Sequence, residues 1–103
     1  MRCLQVATSV GSREEAERLA APLVRERLAA CVQTVGPIRS TYWWKGEVET
    51  AEEWLCLIKT TDARYPALEA RIKALHSYDV PEITAVEIAQ GSADYLGWIA
   101  AET

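Results

Sequence analysis

The single histidine of the chain, His76, stands in the run His76-Ser77-Tyr78-Asp79-Val80-Pro81-Glu82-Ile83, beside a phenol and two carboxylates. An imidazole titrates near neutral pH and is a common ligand for divalent transition metals, and neighbouring carboxylates add oxygen donors. One chemistry for this stretch is therefore a ligand or metal pocket in which His76 coordinates or exchanges a proton. The alternative is structural. Pro81 biases Val80 towards extended backbone, so a preceding helix should stop by about His76 and a strand should begin near Glu82. His76 at a helix C-terminus would meet the last carbonyls and the negative end of the dipole. Lys59 is the second residue that needs an explanation, because a lysine at the end of an otherwise apolar strand is costly to bury unless it meets a carboxylate or an anion. Its options are a salt bridge to Glu82 at a subunit junction, or a cleft between subunits formed with Tyr42, Trp44, Tyr78 and Glu82.

The elements that position these residues follow from composition and periodicity. At 103 residues, half of them hydrophobic, the chain has room for one domain with one modest core, spanning 1–103. A formal charge of −4 argues against duplex DNA or an anionic membrane, both of which call for basic stripes. The first residues, Met1 to Thr8, are too short for a signal-peptide core, and no apolar run approaches a membrane span. The expected compartment is the cytoplasm. Cys3, Cys31 and Cys56 lack metal-ligand spacing and sit among apolar neighbours, so they read as small buried hydrophobes.

Arg2 to Thr8 alternates as a strand, and Ser9-Val10-Gly11 reads as a turn. Ser12 and Glu15 have capping-box spacing, opening a helix that the apolar positions Ala16, Leu19, Leu23 and Leu28 carry to about Leu28, with a bend expected at Pro22. From Ala30 to Thr61 two long extended runs join at Trp44-Lys45-Gly46-Glu47, a hairpin with Gly46 at positive φ and a bulge or bend at Gly36-Pro37. Asp62 is the expected N-cap of a second helix, which Tyr65, Leu68, Ile72 and Leu75 extend to His76. Glu82 to Ala89 reads as a strand, and Ser92 caps a short last helix.

Strand, helix, strand, strand, helix, strand and a terminal helix make an α+β domain of the split βαβ type: an antiparallel sheet with both main helices on one face. The other face is left bare. Each hairpin arm is about twice the usual strand length, so a tip bearing Tyr42, Trp43 and Trp44 should project beyond the helices. Rings that a monomer cannot bury, together with a long free edge, predict a closed oligomer built through the hairpin.

Five blocks of residues resemble the CutA family in order and register. They are Arg27-Leu28-Ala29-Ala30-Cys31-Val32, Ile38 through Gly46, Leu57-Ile58-Lys59-Thr60, His76 through Ile83, and Tyr95-Leu96-Gly97-Trp98. The resemblance implies a ferredoxin-like homotrimer, architecturally similar to PII signalling proteins, involved in tolerance of and response to divalent metal ions, above all copper. It also implies copper ligands at a first-strand cysteine and a His-His pair, positions that read here as Ala7, Leu75 and His76. With only His76 keeping its donor, the expectation is weak copper binding and no required cofactor. The sequence thus leaves three functions: a CutA-type trimer in metal response, a PII-like trimeric sensor with a ligand cleft between subunits, and, with the least support, an enzyme using His76 as base with Tyr78, Asp79 or Glu82 as partner.

Overall fold

The computed structural model describes residues 1–103. The elements are β1 (Cys3–Val10), α1 (Arg13–Arg25), β2 (Cys31–Trp44), β3 (Glu47–Thr61), α2 (Tyr65–Leu75), β4 (Thr84–Glu87) and α3 (Ala93–Glu102). The strands form one antiparallel sheet in the order β2-β3-β1-β4, the α+β ferredoxin-like arrangement expected. Helices α1 and α2 lie on one face over Val6, Val10, Cys56 and Ile58, whose alternating positions point to the same side. Leu19, Leu23, Leu68 and Ile72 complete that core.

Helix α1 begins as its sequence suggests, with the Ser12 hydroxyl accepting the Glu15 amide at 3.1 Å. The reciprocal half of the capping box does not form. Glu15 instead accepts a hydrogen bond from the Ser77 hydroxyl at 3.0 Å, so its carboxylate ties the loop after α2 to the start of α1. The helix runs through Pro22 but stops at Arg25, short of the expected Leu28. The Arg27 amide bonds to the Val24 carbonyl and the Leu28 amide to the Leu23 carbonyl, while Arg27 takes φ of 61°. This is a Schellman stop with arginine at the left-handed position that glycine normally fills, which is why the sequence shows no break there.

Asp62 does not cap α2, which starts at Tyr65 after Arg64. Its carboxylate accepts from the Arg2 amide and the Arg2 guanidinium, tethering the start of β1 to the end of β3. Strand β1 extends to Val10, into the expected turn, because Ser9 and Val10 pair with Leu55 and Trp54. Strand β4 is only four residues long. Glu82 and Ile83 before it, and Ile88 and Ala89 after it, lie outside the strand that the sequence suggested.

In the hairpin, β2 and β3 pair along their whole length with a register shift between Val35 and Ile38, at the Gly36-Pro37 position read as a bulge. Lys45 and Gly46 both have positive φ, 50° and 82°, as a two-residue turn matched to strand twist requires. Strand β1 covers β3 only as far as Trp54. Everything tipward is a two-stranded arm, and Val48 is 58 % exposed at its end.

The second face of the sheet is not wholly bare. Helix α3 packs on one end of it, where Ile99 joins Cys3 and Ala30 in a separate small cluster. The remainder of that face, with Val35 and Val86, is open, and Val86 is 59 % exposed.

Two buried threonines separate the value of a hydroxyl from that of its partner. Thr60 donates to the Leu28 carbonyl at 2.7 Å, whereas the Thr8 hydroxyl is buried with no partner. Thr60→Val should cost about 1–2 kcal/mol, since the shape is kept and a carbonyl loses its donor, while Thr8→Val should be neutral or stabilising. Denaturant midpoints at matched protein concentration read both, and equal losses at the two sites would contradict the assignment.

Candidate functional site

The loop that follows α2 is held by side chains on three elements. The His76 amide closes the helix on the Ile72 carbonyl at 2.9 Å, the capping role available from sequence. Its ring does more. The Tyr78 amide donates to Nδ1 at 3.1 Å, so Nδ1 carries a lone pair and the neutral ring holds its proton on Nε2. Nε2 then donates to the Ser9 carbonyl on β1 at 2.8 Å. Both ring nitrogens are engaged within the chain.

The turn set by His76 carries Tyr78 back over the sheet, with the two rings 4.8 Å apart between centroids. The Tyr78 hydroxyl donates to Glu53 Oε2 on β3 at 2.8 Å. Glu53 is only 7 % exposed although it lies in the arm, because Tyr78 roofs it. Burial, then the hydrogen bond to Glu53 and the charge of that carboxylate, push the Tyr78 phenol well above its ordinary pKa of 10.0.

Between this roof and the arm lies a cleft of about 460 Å³. Tyr42, Trp44, Tyr78 and Glu82, four of the residues expected to share a cleft, line it together. Glu49, Glu53 and Asp79 add carboxylates, and no lysine or arginine is among its lining. Lys59 is not in the cleft of its own chain. It sits further along β3, opposite Gln5 and Cys31, and donates to Gln33 Oε1 at 2.8 Å. Glu53 was not among the residues that sequence reasoning singled out. In the row Glu47, Glu49, Glu52 and Glu53 it looks like one more solvated charge, and only its place just before Leu55 and Leu57 hints that it lies where the arm enters the globule.

The donor set of one chain does not suit a copper centre. No group of three or more His, Cys, Asp or Glu side chains is gathered closely enough to hold a metal ion. At the positions where the resemblance implied copper ligands, Ala7 and Leu75 bring no donor, and His76 has no free lone pair while Tyr78 bonds to Nδ1. The three cysteines are free thiols, and two of them, Cys3 and Cys56, are buried. Burial also raises the Cys56 thiol pKa, away from the thiolate a soft metal needs.

The description "CutA1 divalent ion tolerance protein" belongs to a family model that matches residues 4–102. The chain belongs to the CutA family. The divalent-cation tolerance protein CutA of Thermus thermophilus is 49 % identical over 98 residues, 95 % of each chain. The crystal structure of CutA1 from Oryza sativa superposes with a TM-score of 0.97 at 42 % identity, covering 100 % of this chain and 94 % of the other. The structure of the periplasmic CutA of Archaeoglobus fulgidus gives 0.94 at 37 % identity, covering 97 % of each. The last description puts a CutA protein outside the cytoplasm, so membership of the family does not settle the compartment. In this chain no helix is long and apolar enough to cross a membrane.

The Tyr78–Glu53 bond has a defined pH signature. Folding raises the phenol pKa, so the stabilisation is complete below the unfolded value of about 10 and is lost as pH rises beyond it. Tyr78→Phe should be less stable than the parent by a constant margin up to about pH 9, and the margin should shrink in alkali. Chemical denaturation at a series of pH values tests this, and a margin that stays constant through pH 11 would show that Tyr78 titrates as a free phenol.

Proposed function

We propose that this CutA protein acts as a homotrimer in divalent-cation tolerance, copper included, with the β2–β3 arm as the assembling element. The observation that carries the reading is the arm itself. Trp43 is 74 % exposed, and Tyr42, Trp44 and Val48 are exposed beside it. Large rings on a two-stranded arm outside the reach of any helix need partner surface, and the open sheet face around Val35 and Val86 supplies a second patch of the same kind. Strand β2 is a 14-residue sheet edge, and closing chains into a ring is a way to satisfy such an edge without open-ended pairing.

Tolerance on this reading is a property of the assembled trimer and not of a tight copper site. Cu(II) held at His76 must first displace the Tyr78 amide from Nδ1, which makes binding weak. The role is non-catalytic, since the same two hydrogen bonds leave the imidazole without a nitrogen to act as base. A cytoplasmic site suits the free cysteines.

The cleft supports a second reading, a PII-like trimeric sensor with its ligand between subunits. It brings Tyr42, Trp44, Tyr78 and Glu82 into one concavity of ligand size. Its carboxylates oppose an organic anion unless a cation enters from outside the chain. A thermal-shift screen of metal ions against organic anions separates the two readings.

Light scattering after gel filtration should report about three chains per particle, and Tyr42→Ala with Trp44→Ala should lower the melting temperature or dissociate the particle. A folded parent monomer at micromolar concentration would overturn the trimer. Calorimetric titration with Cu(II) should give weak binding that fades at mildly acidic pH, because protons compete for the nitrogen lone pair, and that disappears in His76→Ala. Equal affinity in parent and variant would remove His76 as a ligand.

A further inference from the structure

Glu53 and Lys59 are an unmatched acid and an unmatched base on the same strand. Glu53 is nine-tenths buried, yet none of the ion pairs of the chain includes it, and its one hydrogen bond comes from the neutral Tyr78 hydroxyl. Lys59 is half-buried and meets only the neutral Gln33 amide. Burying a carboxylate without a counter-charge is costly, as is burying an ammonium. Within the chain they cannot meet. They stand six positions apart on β3, roughly 20 Å at the rise of an extended backbone.

Both lie on the face of the sheet that α1 and α2 leave open. Cross-strand register places Gln5, Ala7, Cys31, Gln33, Val35, Leu55, Leu57, Thr84 and Val86 on that face with Lys59, and Ile38, Ser40, Tyr42 and Glu49 with Glu53 further along. Lys59 is the one cation in this set, and the cleft at Glu53 is lined by carboxylates without a cation. A cyclic trimer joins its chains head to tail, so the patch around the arm of one chain meets a different patch on the next. We infer that the acidic cleft is completed by a second copy of this chain, whose Lys59 ammonium enters it and pairs with Glu53. This inference rests on the trimer proposed above and adds a specific junction to it.

The pairing differs from the one suggested by sequence, in which Lys59 meets Glu82. Glu82 is exposed and already solvated, so it gains little from an ammonium. Glu53 is desolvated by Tyr78 in the isolated chain and gains most. The completed site would hold aromatic walls from Tyr42, Trp44 and Tyr78 around a lysine and several carboxylates, so its remaining capacity suits a cationic or zwitterionic group better than a dianion.

Charge reversal tests the junction. Lys59→Glu, whose side chain makes no fold-holding ion pair, should raise the concentration at which the particle dissociates by at least roughly tenfold while circular dichroism stays that of a folded chain. Glu53→Lys should do the same, and Glu53→Lys with Lys59→Glu in one chain should restore assembly to near the parent value. Glu82→Lys should have a much smaller effect. Because Glu53→Lys also removes the acceptor of Tyr78, the decisive comparison is Lys59→Glu against the double reversal. A parent monomer would sink the trimer itself. A parent trimer that Lys59→Glu leaves unchanged, or that the double reversal fails to rescue, would sink the Glu53–Lys59 junction alone.

Discussion

A mismatch of length governs this structure. Strand β3 has 15 residues and spans roughly 45 Å at the rise of a twisted strand, whereas the 13-residue α1 spans about 20 Å. Helices can therefore cover only the part of β3 between Trp54 and Thr61, and the rest must stand clear, giving a molecule 44 Å along its longest axis and about half that across. The main core under α1 and α2, the bare arm and the half-open second face all follow from it. A chain of this size cannot bury its own aromatic tip, so the rings that would otherwise be core residues become surface available to another molecule.

The loop after α2 solves a local problem created by the same geometry. Where β1 ends and the arm begins, the sheet would present Ser9 and Glu53 to solvent. The loop closes over them through three polar contacts, His76 to Ser9, Tyr78 to Glu53 and Ser77 to Glu15. Each reaches a different element, so the loop is held from β1, β3 and α1 at once. The one imidazole of the chain is spent on this closure. Its two nitrogens serve as donor and acceptor of a structural network, so neither is free for another partner while the closure holds.

Closure in turn shapes the cleft. Tyr78 forms its roof, the arm its wall through Tyr42 and Trp44, and the carboxylates of Glu49, Glu53, Asp79 and Glu82 its polar lining. An uncompensated acidic concavity next to an apolar sheet face is an arrangement that makes sense at a contact between chains, where charge fixes register and burial of apolar surface supplies the affinity.

Local signals in the sequence were enough for the element order and for the topology class. Alternation in Arg2 to Thr8, the Ser12 cap, the Lys45-Gly46 turn and the Pro81 boundary each depend on neighbours a few residues away, and five blocks in register pointed to the family. What sequence could not decide were the contacts made across long separations. The end of α1 turned on Arg27 adopting positive φ, with Leu28 buried behind it, and no glycine advertised that choice. Glu15 and Asp62 have the spacing of caps, yet tertiary partners, Ser77 and Arg2, took their carboxylates. Glu53 became a site residue only because Tyr78, 25 positions away, folds over it, and Lys59 lies outside the cleft of its own chain because strand geometry sets it six residues further along. Periodicity records which face a side chain takes; which partner it finds there depends on chain segments that only the folded sheet brings together.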